Sequence, residues 1–111
     1  EVNRLFNRAT VFIQTSRHEG FSLPPLEAMA AGCPVICTDS HGNRDYSEHS
    51  KNCLIVKQDD VNDLNQALEK LFGDEKLRQR LASEGLKTAK RYRWDVIIDR
   101  IEEFYKDIAN L

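Results

Sequence analysis

Residues 16–39 read SRHEGFSLPPLEAMAAGCPVICTD, and this stretch decides the fold of the chain. A short apolar run precedes it and a second one, Val35–Thr38, lies near its end, which favours two buried strands joined by a polar loop and a short helix. Pro24 and Pro25 suit the first turn of a helix, where a missing N–H group has no intrahelical partner to lose. The Ala-rich segment after them predicts a helix that stops at Gly32.

The rest of the first half extends this pattern of strand, loop and helix. Residues 1–8 place apolar side chains at helical spacing, which predicts the end of an amphipathic helix. Residues 10–13 and 53–56 are β-rich apolar runs without clean alternation, so we expect two further strands covered on both faces. Loops at the carboxyl ends of such strands are where open α/β sheets bind ligands.

The second half of the chain predicts three helices. Asp59 or Asp60 is expected to cap the first, and the second follows Asp74, with Gly85 permitting a bend or break in its middle. The apolar positions of this second helix are Leu77, Leu81, Leu86 and Ala89. The third helix, residues 94–111, carries an apolar stripe and is expected to cover the core. We therefore expect a three-layer α/β domain with a short parallel sheet.

Composition sets limits on partners and location. The 111 residues suffice for one domain, and 16 Lys and Arg against 18 Asp and Glu give no basic field for nucleic acid. No apolar run approaches the roughly 18 to 20 residues that span a bilayer. Three cysteines without paired spacing predict free thiols in a reducing, cytoplasmic compartment.

Two carboxylates eight positions apart, Glu19 and Glu27, are the first candidates for chemistry. A carboxylate accepts two hydroxyl hydrogens at once, as a ribose diol or a pair of sugar hydroxyls requires. Between them the backbone amides of Gly20, Phe21, Ser22 and Leu23 precede a helix N-terminus, which favours a phosphate. A phosphate flanked by sugars on both sides is a nucleotide sugar.

Each of these residues also has a structural interpretation. Glu27 alone is a common partner of a helix dipole, Glu19 alone is a solvated loop residue, and Phe21 is a core anchor. Only their ordered combination favours a ligand site.

That combination, EGFSLPPLEAMAAGCPVICTD at residues 19–39, resembles the signature of the retaining glycosyltransferases of family 4, the group 1 glycosyl transferases with the GT-B fold. The resemblance implies the Rossmann-like carboxyl-terminal half of such an enzyme, with Glu19 as the catalytic residue beside the donor sugar. It also implies that the amides of Gly20, Phe21, Ser22 and Leu23 hold sugar hydroxyls and the diphosphate, and that Glu27 binds the donor ribose.

The resemblance further implies the reaction and the partners. Family members transfer a glycosyl unit from a nucleotide diphosphate sugar, with retention and commonly without a metal or other cofactor, to a sugar or lipid-linked acceptor. The acceptor site of the family lies in a separate amino-terminal domain, and its diphosphate-binding Arg and Lys lie upstream of the motif. We therefore expect residues 1–111 to be a partial, carboxyl-terminal nucleotide-sugar-binding domain that is inactive alone, with peripheral contact at the inner face of the membrane.

Several residues depart from the family pattern or stand outside it. Ser22 replaces a Gly, Asp45 stands where Glu is frequent, and Cys53 stands where Gly is frequent and a positive φ would be costly. The histidines at positions 18, 41 and 49 are too irregularly spaced for a metal site and are expected in surface loops. Arg17 is a weak candidate for a phosphate contact.

A basic cluster near the carboxyl-terminal end has two interpretations. It comprises Lys87, Lys90, Arg91 and Arg93. The first is that these cations offset the dipole at a helix end, and the second, more specific one is that they contact anionic lipid.

Two other functions stay open for the whole chain. One is a non-catalytic nucleotide-binding, sugar-binding or interaction module of the same fold, and the other is a GT-B nucleotide-sugar epimerase, which the Glu19 motif disfavours.

Overall fold

A computed structural model describes residues 10–92 and 94–110 and shows a short sheet with helices on both faces. In chain order the elements are β1 (Phe12–Gln14), α1 (Pro24–Ala30), β2 (Val35–Thr38), β3 (Leu54–Val56), α2 (Val61–Phe72), α3 (Glu75–Arg91) and α4 (Trp94–Ala109). The helix predicted at residues 1–8 lies outside the described residues.

The three described strands are parallel and lie in the order β1-β2-β3. Ile13 is paired with Ile36, and Cys37 with Ile55. All four residues of β2 are buried, as expected for the central strand. Ile13 is 40% exposed, so the prediction that the first strand is covered on both faces is wrong there. Helix α2 packs against β3, at the other edge of the sheet.

Two apolar clusters, one on each face of the sheet, confirm the predicted three-layer arrangement. The first joins Leu26, Ala28 and Met29 of α1 to Val35, Cys37, Tyr46 and Cys53. The second joins Ile36, Leu54 and Val56 to Ala67 and Leu71 of α2 and to Leu77 and Leu81 of α3. Because neighbouring residues of a strand point to opposite faces, consecutive side chains of β2 alternate between the two clusters.

The ends of the helices follow their capping signals. Helix α1 begins at Pro24 and is followed by Gly32 in a left-handed conformation with φ of 74°. The side chain of Asp60, and not that of Asp59, accepts the Asp63 amide at the start of α2. Asp74 caps α3 in the same way, by accepting the amide of Leu77.

Helix α3 is continuous through Gly85, so the bend or break permitted there does not occur. Gly85 is buried against α1, where an added Cβ would lie 3.2 Å from Cγ of Met29. The missing side chain therefore serves close packing of the two helices. Leu86 is 40% exposed and Thr88 is buried, so the prediction that Leu86 lies on the buried face is wrong.

The start of β3 and the last helix also differ from expectation. Cys53 is buried and has no positive φ, whereas Ser50, three residues earlier, has a φ of 65°. Along α4 the apolar residues Ile101, Phe104, Tyr105 and Ile108 are between 47% and 65% exposed, so the prediction that this helix covers the core is wrong for them. Helices α1, α2 and α3 already cover the sheet.

No helix within the described ranges is both long and apolar enough to cross a bilayer.

Candidate functional site

The loops that follow β1 and β2 meet at the carboxyl edge of the sheet, where ligands of open α/β folds bind. We call them the Glu19 loop (residues 15–23) and the Tyr46 loop (residues 39–46). The amide of Glu19 donates to the carbonyl oxygen of Ser40 at 2.9 Å, and the amide of Ser22 donates to that of Gly42 at 3.2 Å. The contact is so close that a Cβ on Gly42 would lie 1.2 Å from the carbonyl oxygen of Gly20. Position 42 therefore admits no side chain in this arrangement.

Ser22 faces the interior, although the sequence predicts it as part of the ligand loop. It is 3% exposed, and its hydroxyl accepts a hydrogen bond from Nε2 of Gln14 at 3.0 Å. Its carbonyl oxygen accepts the hydroxyl of Tyr46 at 2.6 Å. The Ser22 amide is also committed to Gly42, so Ser22 braces the loop from beneath.

Burial affects the polar groups of Tyr46 and Gln14 that support the Glu19 loop. Desolvation raises the pKa of Tyr46 by more than the neighbouring Ser22 side chain lowers it. The phenol therefore stays protonated and keeps donating. Oε1 of Gln14 is buried and has no hydrogen-bond partner in the part of the chain that the structure describes.

Three aromatic rings join the Glu19 loop to the end of α3. Phe21 lies 6.1 Å from Tyr46 and 6.2 Å from Tyr92, and the two tyrosine rings are 5.9 Å apart. The hydroxyl of Tyr92 also donates to the carbonyl oxygen of Asp45. Phe21 is still 44% exposed, so it is an anchor that keeps one side in solvent.

Two buried asparagines hold the Tyr46 loop in shape. Asn43 donates from Nδ2 to the carbonyl oxygen of Thr38 at 2.8 Å and accepts the Ser40 amide. Asn52 donates from Nδ2 to the carbonyl oxygen of Tyr46 and to Oγ1 of Thr88. These bonds satisfy buried backbone groups that a loop would otherwise leave without partners.

The two predicted carboxylates are both exposed, Glu19 in its loop and Glu27 in the first turn of α1. Oε1 of Glu19 accepts the hydroxyl of Ser16 at 2.9 Å. Within residues 10–92 and 94–110, the amides of Gly20, Phe21 and Leu23 donate to no protein acceptor. An added Cβ on Gly20 would meet nothing within 4 Å, which leaves open space beside its backbone.

The arginines beside this site are already paired. Arg17 forms an exposed ion pair with Asp59 at 2.9 Å, and Arg44 forms one with Asp39 at 2.8 Å. The hydrogen bond from Arg44, with help from the His41 amide, lowers the pKa of Asp39. The predicted phosphate contact of Arg17 therefore competes with an existing partner.

A cavity of about 300 Å³ lies at the same edge, on the side of α2. It is lined mainly by Thr15, Thr38, Lys57, Asp59 and Leu64. Neither Glu19 nor Glu27 lines it, so it is separate from the predicted site.

Sequence reasoning missed the residues that support the Glu19 loop. In the sequence, Gly42 and Asn43 indicate only a turn, and Gln14 and Tyr46 carry no signal of a role in the site. Their roles depend on contacts between distant segments, and an isolated sequence does not display such contacts.

The remaining predictions concern cysteines and surface charges. Cys33, Cys37 and Cys53 are buried and reduced, as predicted. Lys90 and Arg91 are exposed in the last turn of α3, where cations offset the helix dipole, while Arg93 lies outside the described residues. No group of three His, Cys, Asp or Glu side chains suited to a metal ion occurs among the residues described.

Comparison with known proteins assigns the family. The sequence profile described as Glycosyl transferases group 1 matches residues 1–88. The chain belongs to this family. Its α/β fold, with a short parallel sheet, is that of the carboxyl-terminal half of GT-B glycosyltransferases, as the resemblance implied.

Individual relatives fit the same assignment. The chain is 34% identical over 88 residues to the poly(glycerol-phosphate) alpha-glucosyltransferase of Bacillus subtilis, covering 78% of this chain and 13% of the relative. The carboxyl-terminal domain of the group 1 glycosyl transferase LpcC of Francisella tularensis superposes with a TM-score of 0.73 at 29% identity, over 78% of this chain and 45% of that one. HepE of Anabaena, solved in complex with UDP-glucose, gives a TM-score of 0.83 at 22% identity, over 99% of this chain and 30% of HepE.

The chain spans 31%, 13% and 28% of the lengths of three curated relatives that it matches, which is less than a third in each case.

Proposed function

We propose that this group 1 chain binds the nucleotide diphosphate sugar of a retaining glycosyltransferase of family 4, which transfers the glycosyl unit to a sugar or lipid-linked acceptor. The observation that carries the proposal is the braced Glu19 loop, which leaves the amides of Gly20, Phe21 and Leu23 without protein acceptors between two exposed carboxylates. Free amides suit phosphate and hydroxyl oxygens, and carboxylates suit pairs of hydroxyl hydrogens. HepE, which shares the fold, was solved with UDP-glucose, and this supports the ligand class.

Roles follow from the chemistry of each group. Glu27 accepts the hydroxyls of the ribose, and Glu19 contacts the transferred sugar and stabilises charge that develops during transfer. Ser22 acts through its bonds to Gln14 and Tyr46 and not as a ligand donor. The binding needs no metal in this proposal, and the acceptor site belongs to a separate amino-terminal domain. Location in the cytoplasm and contact with the inner face of the membrane stay predictions.

A nucleotide titration followed by amide chemical shifts tests the proposal. UDP, GDP and ADP are added separately, and we expect one of them to shift the amides of Gly20, Phe21 and Leu23 most strongly, with or without a chelator. Amides of the exposed segment 101–108 of α4 serve as the internal reference. Shifts that are absent for all three nucleotides would contradict the proposal.

A substitution separates this site from non-specific binding. Glu27→Gln keeps the size of the side chain and removes its charge, so it should weaken nucleotide binding. Glu102→Gln, on α4, makes the same change at another exposed position and should have no effect. Saturable nucleotide binding without glycosyl transfer by the whole protein would instead favour a non-catalytic module.

A further inference from the structure

Two histidine rings from different loops meet beside Glu19. His18 comes from the Glu19 loop and His41 from the Tyr46 loop, and their ring centroids are 5.2 Å apart with the planes tilted by 53°. Both residues are exposed. No ion pair joins either ring to a carboxylate in the described ranges. The pair is therefore open to a ligand.

The backbone of His41 is held in an uncommon conformation. Its φ is 68°, in the left-handed region that costs a residue with a side chain about 1 kcal/mol or more. The amide of His41 is fixed by Oδ1 of Asp39 at 3.2 Å, and its neighbour Gly42 is fixed by the contact with Gly20. A Gly would meet this backbone demand without cost, so replacing His41 by Gly removes the imidazole without adding strain.

We propose that His18 and His41 together contact the diphosphate of the bound nucleotide, an inference that rests on the proposed function. An imidazole carries at least one N–H donor in every protonation state, and rings 5.2 Å apart can reach oxygens of the same diphosphate. The nearby guanidinium groups of Arg17 and Arg44 are engaged with Asp59 and Asp39. The two imidazoles thus supply side-chain donors next to the free amides of Gly20 and Phe21.

The test compares UDP with uridine, because only UDP carries the diphosphate. Binding to the purified protein is measured by calorimetry for the wild type, His18→Gln and His41→Gly. We expect each substitution to weaken UDP binding about tenfold, the size of one lost hydrogen bond to a charged group, and to leave uridine binding unchanged. Because His41→Gly removes backbone strain, its melting temperature should equal or exceed that of the wild type.

His49→Asn is the matched control. His49 lies before β3, at the opposite edge of the sheet, and its Nδ1 accepts the Ile55 amide, which an Asn oxygen can also do. This variant should bind UDP as the wild type does.

The outcomes separate the two proposals. If the wild type fails to bind UDP, GDP and ADP, the proposed function itself fails. If the wild type binds UDP and the His18 and His41 variants bind it equally well, only the histidine contact is overturned. Equal weakening of UDP and uridine would also overturn it, because the lost contact would then lie outside the diphosphate.

Discussion

The hydroxyl of Tyr46 donates a hydrogen bond of 2.6 Å to the carbonyl oxygen of Ser22, which lies 24 residues earlier in the chain. Tyr46→Phe keeps the ring in its aromatic cluster and leaves that buried carbonyl without its donor. We expect a loss of about 1–3 kcal/mol in the free energy of unfolding, measured in urea. Tyr105→Phe removes an exposed hydroxyl from α4 and should change the stability little.

The burial of the Tyr46 hydroxyl predicts a dependence of stability on alkaline pH. Burial raises the pKa of Tyr46 above its ordinary value of about 10, so the folded protein keeps a proton that the unfolded chain releases. The stabilisation is complete below pH ~10 and declines as pH rises above it. Urea unfolding between about pH 9 and 11 should show a steeper decline for the wild type than for Tyr46→Phe. Parallel declines for the two proteins would contradict this assignment.

Gly42 and Gly20 touch each other but differ in what they tolerate. A Cβ on Gly42 would overlap the Gly20 carbonyl at 1.2 Å, so Gly42→Ala must push the two loops apart. We expect lower stability and broadened amide signals across residues 16–23. A Cβ on Gly20 meets nothing within 4 Å, so Gly20→Ala should fold normally. If ligand fills that space, Gly20→Ala will nevertheless weaken nucleotide binding, and the pair of variants separates folding from binding.

The contact between α1 and α3 gives a prediction about packing. Cγ of Met29 would lie 3.2 Å from a Cβ at position 85, so a large side chain there overpacks the interface. Gly85→Leu should lower the free energy of unfolding by about 1–3 kcal/mol or more. Ser83→Leu places the same side chain on the exposed face of α3 and should cost much less. Equal losses would show that Gly85 is not a packing contact.

Local signals explain which parts of this fold the sequence predicts. Pro24, Gly32, Asp60 and Asp74 set the ends of their helices through bonds within a few residues, and the apolar run of β2 is buried on both faces. The prediction for Leu86 is wrong because the spacing of leucines does not show that α1 packs against α3 at Gly85. The prediction that α4 covers the core is wrong because an apolar stripe in a sequence does not show which surface the helix packs against.

In the candidate site, too, the local features can be predicted from the sequence and the long-range contacts cannot. Glu19, Glu27 and the turn between them stand together in the sequence, so their chemistry could be proposed before the structure. Ser22 shows the limit, since its inward orientation depends on Gln14 and Tyr46, which are eight and 24 residues away. Such contacts form only when the sheet brings the two loops together.

Under the proposed function, the two carboxylates should affect different kinetic parameters of the whole protein. In its proposed role Glu27 makes ribose contacts equally before and during transfer, so Glu27→Gln should raise KM for the donor about tenfold with kcat nearly unchanged. In its proposed role Glu19 carries charge next to the transferred sugar, so Glu19→Gln should lower kcat about 100-fold with a smaller change in KM. Glu102→Gln is the control. Initial rates at varied donor concentration distinguish the two roles, and equal losses in both parameters for both variants would contradict them. Because both side chains are exposed, neither substitution should lower the melting temperature, and a kinetic loss then reports on the site and not on the fold.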